Sequence, residues 1–253
     1  MSDEIAGSNS AMLYVIKSLM KRDANAITGE NQMKMSVKRK TTSYILKGIV
    51  VLAAVSGIWL SAAGGRNSFM GGSRVFMYFT IQSNLAIALI CAAGGILMLR
   101  SGRIKDWRFV VKFVGTVSIT LTGAVFCFVL APTFGPKAWS LQNILTHVIV
   151  PVAAVADFFV TGIYGNIRMR DIVFVTLPPL AYVIYAGIGY VCGWEFSKGA
   201  NYPYFFLNWG SPAGAFGFTG ELPYMGCVWW IGLLLIGLLL VGAAYLLILK
   251  LWK

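Results

Sequence analysis

The residues able to do chemistry in this chain are few, and they sit inside long apolar runs. In the stretch YFTIQSN, Tyr78 to Asn84, four of seven side chains (Thr80, Gln82, Ser83 and Asn84) are hydroxyls or amides. The single histidine, His147, stands in LQNILTHVIVP, with Asn143 four residues before it and Pro151 four after. A hydroxyl beside a neutral imidazole is the minimal nucleophile–base pair, because the ring nitrogen takes the proton as the oxygen attacks a carbonyl. Thr80 or Ser83 can supply that hydroxyl, and spacing alone does not choose between them. Gln82, Ser83 or Asn84 can donate to a developing oxyanion, and Asn143 can orient the ring. The same groups can instead join helices within a bilayer, where hydroxyls and amides often serve that purpose.

Three further ionisable residues fall at membrane depth, where charge is rare and usually functional. Asp157 stands near the end of the His147 segment, where it can mark the boundary or pair with Arg168 or Arg170. Lys47 and Lys112 lie close enough to a boundary to extend their ammonium groups into water.

The elements that must position these groups are membrane spans. Of 253 residues, 58% are hydrophobic and only 12% charged, and the mean hydropathy is +0.74. A soluble domain carries about 25% charged residues. Six apolar segments reach the ~20 residues a helix needs to cross a bilayer: Tyr44–Ala63, Val75–Leu99, Phe109–Ala131, Leu141–Val160, Ile172–Cys192 and Gly226–Leu249. The expected fold is therefore all-α and polytopic. It divides into a basic N-terminal segment, 1–43, and a six-helix transmembrane domain, 44–253.

Lys and Arg placement sets the orientation. Seven of the 21 basic residues precede Thr42, and the second loop holds Arg100, Arg103, Lys105 and Arg108. The fourth loop has Arg168 and Arg170, and the tail Lys250 and Lys253. The odd-numbered loops are poorer, with Arg66 and Arg74, Lys137, and Lys198. Both termini are thus expected on the cytoplasmic side. The net charge of +12 is a topology signal rather than a nucleic-acid groove, and no nucleic-acid-binding motif accompanies it.

This topology brings the two chemical centres to one depth. Spans two and four both run inward from the outer face. Thr80 falls about five residues in, or ~8 Å, and His147 about six, or ~9 Å, at the helical rise. Asn84 lies one turn below Thr80, and Asn143 one turn above His147. Pro151 removes a backbone hydrogen bond to the His147 carbonyl, which predicts a bend there.

Other features carry less. In AMLYVIKSLMKR, Met12, Val15, Ile16 and Leu19 share a helical face opposite Lys17 and Lys21. That pattern fits a short amphipathic helix on anionic lipid headgroups, or a tail with chance periodicity. Cys192 and Cys227 stand at the expected outer ends of spans five and six, where they can form a disulfide or remain packed thiols. One histidine and scattered cysteines make a metal site improbable, and no organic cofactor is implied. The loop carrying Tyr202, Pro203 and Tyr204 is expected to fold over the outer mouth as a lid or plug.

Several motifs in order resemble the bacterial Pr6Pr-type membrane proteins: YFTIQSNLAIAL, LTGAVFCFVLAP, LQNILTHVIVPVAAVADFF, LPPLAYVIYAGIGYVCG and YPYFFLNW. The resemblance covers roughly residues 44–250 and extends, more distantly, to the animal androgen-induced and androgen-dependent (FAR-17a type) membrane hydrolases. There a threonine and a histidine hydrolyse fatty acid esters of hydroxy fatty acids. By motif the threonine matches Thr80 and the histidine His147. The resemblance therefore implies an intramembrane lipid-ester hydrolase of the bacterial cytoplasmic membrane, with membrane lipids or a lipophilic ester as its partner. The alternative is a lipid or small-molecule transporter or binding protein using the same polar cluster, or a structural subunit recruited through the basic tail.

Overall fold

A computed structural model describes residues 35–64, 72–100 and 106–252. Six helices are long and apolar enough to cross a membrane: α1 Val37–Gly64, α2 Phe79–Arg100, α3 Asp106–Ala138, α4 Leu141–Gly162, α5 Met169–Val191 and α6 Cys227–Leu251. The protein is an all-α polytopic membrane protein, and the described residues contain only two isolated β-bridges, Ser197 with Ala200 and Phe218 with Met225. Six crossings put the start of α1 and the end of α6 on one side. The described residues from Ser36 onward form one compact unit, and the amphipathic helix expected around Met12–Leu19 lies outside the described residues.

The bundle follows the logic of lipid as solvent. Its exterior is apolar: Leu52, Leu89, Phe128, Ile184, Leu233 and Leu240 are all exposed. With no hydrophobic drive between helices in lipid, close approach comes from small residues. Ala53, Ala54, Ala88, Ala153 and Ala154 are buried where α1, α2 and α4 meet. At Gly57 of α1 an added Cβ would lie 2.6 Å from the Thr146 side chain, so glycine there lets α1 back directly onto α4. A second core, including Phe113, Phe158, Val175 and Leu246, joins α3, α4, α5 and α6. A third, at the other end, gathers Tyr78, Phe126, Tyr182, Phe196, Tyr204 and Phe206 around the α5–α6 loop.

Two expectations are corrected here. Lys47 and Lys112 do not reach for water, and Asp157 does not turn to Arg168 or Arg170. Instead Lys47 Nζ donates to Asp157 Oδ2 at 2.7 Å and Lys112 Nζ to the same oxygen at 2.5 Å, with the carboxylate fully buried. Ser43 donates to Asp157 Oδ1 at 2.5 Å, and Thr161 accepts from Lys112 at 2.6 Å. Inside the bundle the lysines gain partners on α4 that water at the boundary would otherwise have supplied, so α1, α3 and α4 are pinned together. The Arg168 backbone N–H is instead taken by Asp171 at 2.8 Å. The Cys192 and Cys227 thiols are both free, so the disulfide is not formed.

Three departures from regular α-helix lie near the polar residues. Residues Gly72–Met77 form a 3-10 turn, and the chain bends at Tyr78 before α2 begins at Phe79. In α3, Phe126–Leu130 is π-helical, and in α4 so is Leu145–Ile149. Such single-turn π segments are rare and concentrate at functional sites.

Candidate active site

The bend at Tyr78 changes the expected position of Thr80. It is not five residues into a helix but in the first turn of α2, where backbone N–H groups have no intrahelical partner. The bend is held by Tyr78 itself, which is buried and donates its hydroxyl to the Phe196 carbonyl at 3.1 Å. Tyr182 likewise donates to the Met77 carbonyl at 2.9 Å. The Thr80 N–H, orphaned by its position, donates to the Tyr204 hydroxyl at 3.3 Å.

His147 lies within the π segment of α4, and that segment determines which ring nitrogen carries the proton. Nδ1 is 3.0 Å from the Asn143 carbonyl oxygen, which can only accept. It is also 3.0 Å from Thr146 Oγ1, whose own hydrogen goes to the Gln142 carbonyl at 2.8 Å. Both neighbours are therefore acceptors, and the proton belongs on Nδ1. Nε2 is left as the bare acceptor, and it faces Thr80 Oγ1 at 3.3 Å. That distance is at the long end for a hydrogen bond.

The ring is held flat as well as oriented. It stacks on Phe126, with centroids 3.9 Å apart and planes at 20°, so the two π segments meet face to face. The His147 carbonyl, which Pro151 cannot pair, packs against Gly123 of α3. An added Cβ there would stand 2.8 Å from that oxygen. Pro151 lies in the first turn of regular helix after the π segment of α4.

The remaining polar candidates take other roles. Ser83 Oγ pairs with Thr122 Oγ1 at 2.7 Å, so the imidazole meets Thr80 instead. Asn84 spends both amide hydrogens, on the Thr80 carbonyl at 2.8 Å and the Thr146 carbonyl at 3.1 Å. It is a strut between α2 and the π segment rather than an oxyanion donor, and its buried Oδ1 has no partner. Gln82 is exposed and donates to the Phe76 carbonyl at 3.1 Å, away from the site. Asn143 orients the imidazole through its carbonyl, while its side chain donates to the Ala138 carbonyl at 2.8 Å.

Tyr204 is the site residue that spacing could not find. It arrives from the α5–α6 loop, 124 positions from Thr80, and its hydroxyl stands 3.5 Å from Thr80 Oγ1. Its ring stacks on Phe206 at 5.1 Å and 5°. Burial pushes its phenol above the usual 10.0, so it stays a proton donor through neutral pH. The loop is thus more than a cover, since it contributes a hydroxyl to the polar centre.

Beside Thr80 lies an apolar cavity of about 60 Å³, walled by Phe79, Leu121, Val125, Tyr182, Leu234 and others. A carbonyl placed there would find a hydroxyl with a base behind it, the start of a helix and a phenolic donor. Such a constellation suits nucleophilic attack with charge developing on oxygen. Among the described residues no three His, Cys, Asp or Glu side chains converge as metal ligands. Compared with protein-family models, curated proteins and solved structures, the chain finds no match in any of the three.

Proposed function

We propose that the protein is an intramembrane hydrolase of lipid carboxylic esters, with Thr80 as nucleophile and His147 as base and then acid. One observation carries the reading: Nδ1 of His147 is committed as a donor, so Nε2 is a free acceptor 3.3 Å from Thr80 Oγ1. Thr80 Oγ1 attacks the ester carbonyl as its proton passes to Nε2. The tetrahedral oxyanion is met by the Tyr204 hydroxyl, and the positive end of α2 favours the charge. The ester C–O bond then breaks, and Nε2 returns the proton to the departing alkoxide. Water, deprotonated by Nε2, cleaves the acyl-threonine and releases a carboxylic acid and free Thr80. None of these steps calls for a cofactor.

The motif resemblance adds the substrate class, fatty acid esters of hydroxy fatty acids, and the bacterial cytoplasmic membrane as the setting. An apolar cavity beside the hydroxyl fits such a substrate. The test is hydrolysis of a panel of lipid esters by the purified protein, comparing wild type with Thr80→Ala, His147→Ala and Ser83→Ala. The first two should lose activity by about four orders of magnitude or more, as when either member of a nucleophile–base pair is removed. Ser83→Ala should keep most of it. A folded wild type inert on the whole panel, or an active Thr80→Ala, rejects the reading in favour of ligand binding or transport.

A further inference from the structure

The cavity beside Thr80 is too small for the substrate just proposed. Pockets that enclose a drug-sized ligand measure about 300–1,000 Å³, whereas this one holds about 60 Å³. A fatty chain attached to a carbonyl at Thr80 must therefore run out of the cavity, and two closures decide where.

The outer mouth is shut. Tyr204, Phe206 and Leu207 are all buried above the cavity, and Trp230 of α6 packs on Phe206 with ring centroids 5.9 Å apart. Toward the other end of the bundle α3 and α6 are joined. Thr120 Oγ1 meets Tyr245 Oη at 3.0 Å, and Gly242 sits where an added Cβ would touch Phe113 at 3.4 Å. Between these two closures the helices part. An apolar groove of about 410 Å³ runs there from Leu233 to Val241 on α6 and from Val117 to Val129 on α3. Eight residues of rise give it a length of ~12 Å along the helix. Its walls include Phe128 and Leu240, which are 81% and 66% exposed on the bundle's exterior.

Groove and cavity share three residues, Leu121, Val125 and Leu234, which line both. Their side chains stand between the groove and the cavity beside Thr80. Resting on the ester-hydrolase reading, we propose that the α3–α6 groove is the acyl-chain subsite and lateral portal of this protein. The substrate is a bilayer-resident ester whose chain lies along the groove while its carbonyl passes Leu121, Val125 and Leu234 to reach Thr80. Substrate then arrives sideways from lipid, and the loop carrying Tyr204 has no part in its admission. The walls carry no charge, and the hydroxyl of Thr120 is engaged with the Thr116 carbonyl and Tyr245, so the subsite selects for an apolar chain.

Gly237 offers a clean probe. It is exposed in the groove, and an added Cβ would meet nothing within 4 Å. Gly232 on the same helix is half-buried, but an added Cβ there also meets nothing within 4 Å, and it is not a wall of the groove. The full-length protein in lipid vesicles would be assayed as wild type, Gly237→Trp and Gly232→Trp, on a hexadecanoyl ester and on a water-soluble acetyl ester. Gly237→Trp should lower kcat/KM for the hexadecanoyl ester about tenfold or more, the scale of a blocked apolar subsite. The acetyl ester has no chain to seat in the groove, so its hydrolysis should fall less than that of the hexadecanoyl ester, and Gly232→Trp should behave as wild type on both. Equal rates for Gly237→Trp and wild type on the long ester would overturn the portal while leaving the hydrolase intact.

A second readout needs no turnover. A fatty acid carrying a diazirine in its chain, photolysed with the protein in the same vesicles, should label residues within 117–129 and 233–241. Gly237→Trp should suppress that labelling. Labelling confined to 202–207 instead would show admission through the outer mouth and overturn the proposal, whether or not any ester is hydrolysed.

Discussion

His147 Nδ1 donates to the carbonyl oxygen of Asn143, 3.0 Å away and four residues earlier in the same helix. A backbone carbonyl is a common partner for the Nδ1 hydrogen of an imidazole. It is within reach because α4 changes its hydrogen-bond register at Leu145–Ile149. The imidazole is thus aimed by main-chain geometry, its Nδ1 partners being the Asn143 carbonyl and Thr146 rather than a carboxylate. Such an arrangement supplies direction without adding charge to a site surrounded by lipid.

That geometry is exposed to change at Gly123. In an ordinary helix Gly→Ala adds stability of up to about 1 kcal/mol. Here the new Cβ would stand 2.8 Å from the His147 carbonyl, inside the closest approach of real contacts. Gly123→Ala should therefore lower both the melting temperature and ester hydrolysis, because α3 must move away from the π segment that aims the ring. A melting temperature equal to or above wild type would mean that α3 and α4 do not need this contact.

Tyr204 gives a sharper test of loop against site. Tyr204→Phe keeps the ring that stacks on Phe206 and removes only the hydroxyl near Thr80 Oγ1. Loss of one oxyanion donor typically costs about 10²–10³ in kcat, so kcat should fall on that scale with KM nearly unchanged, and the Thr80 N–H left without its acceptor should lower the melting temperature modestly as well. A fall in stability alone, with kcat intact, would reduce Tyr204 to packing.

The same variant has a signature in alkali. Burial raises the folded-state pKa of Tyr204 above 10.0, so the unfolded chain loses this proton first. Stability is whole below pH 10.0 and declines as pH rises through the folded value. Wild type should lose thermal stability above that pH more steeply than Tyr204→Phe. Parallel curves for the two would mean that the phenol ionises alike in both states.

How much of this was legible beforehand depends on the length scale of the signal. Six spans are written in runs of apolar residues, and the structure has helices over all six. The shared depth of Thr80 and His147 follows from span direction and helical rise, and the two side chains do lie side by side. The break at Tyr78 and the two π segments were not legible. A one-residue shift in hydrogen-bond register leaves an apolar run just as apolar. Asn84 and Gln82 could not be told apart by type, because a bend of one residue decides which faces the bundle. Tyr204 reaches Thr80 through a loop whose path no periodicity encodes. Nor could spacing say that Asp157 would take both buried lysines rather than a neighbouring arginine, since that choice belongs to the packing of α1, α3 and α4.

That last arrangement yields a prediction about stability alone. Lys47, Lys112 and Asp157 carry formal charges summing to +1 in a buried cluster, and their partners differ in what removal leaves behind. Asp157→Ala strips the only carboxylate and leaves two ammonium groups facing one another without counter-charge. Breaking a buried pair in this way costs about 3–5 kcal/mol, so the variant should melt far below wild type or fail to fold. Lys112→Met removes one cation, keeps apolar bulk and leaves Lys47 paired with Asp157 as a neutral couple. Replacing buried ionic groups with apolar ones of similar volume is often neutral or stabilising. Lys112→Met should therefore stay within a few degrees of wild type in detergent melting curves, despite losing the hydrogen bonds to Asp157 and Thr161. If it were instead as damaging as Asp157→Ala, the second lysine would be needed as a hydrogen-bonding pin between α3 and α4. Charge balance would then not be what decides the stability of this cluster.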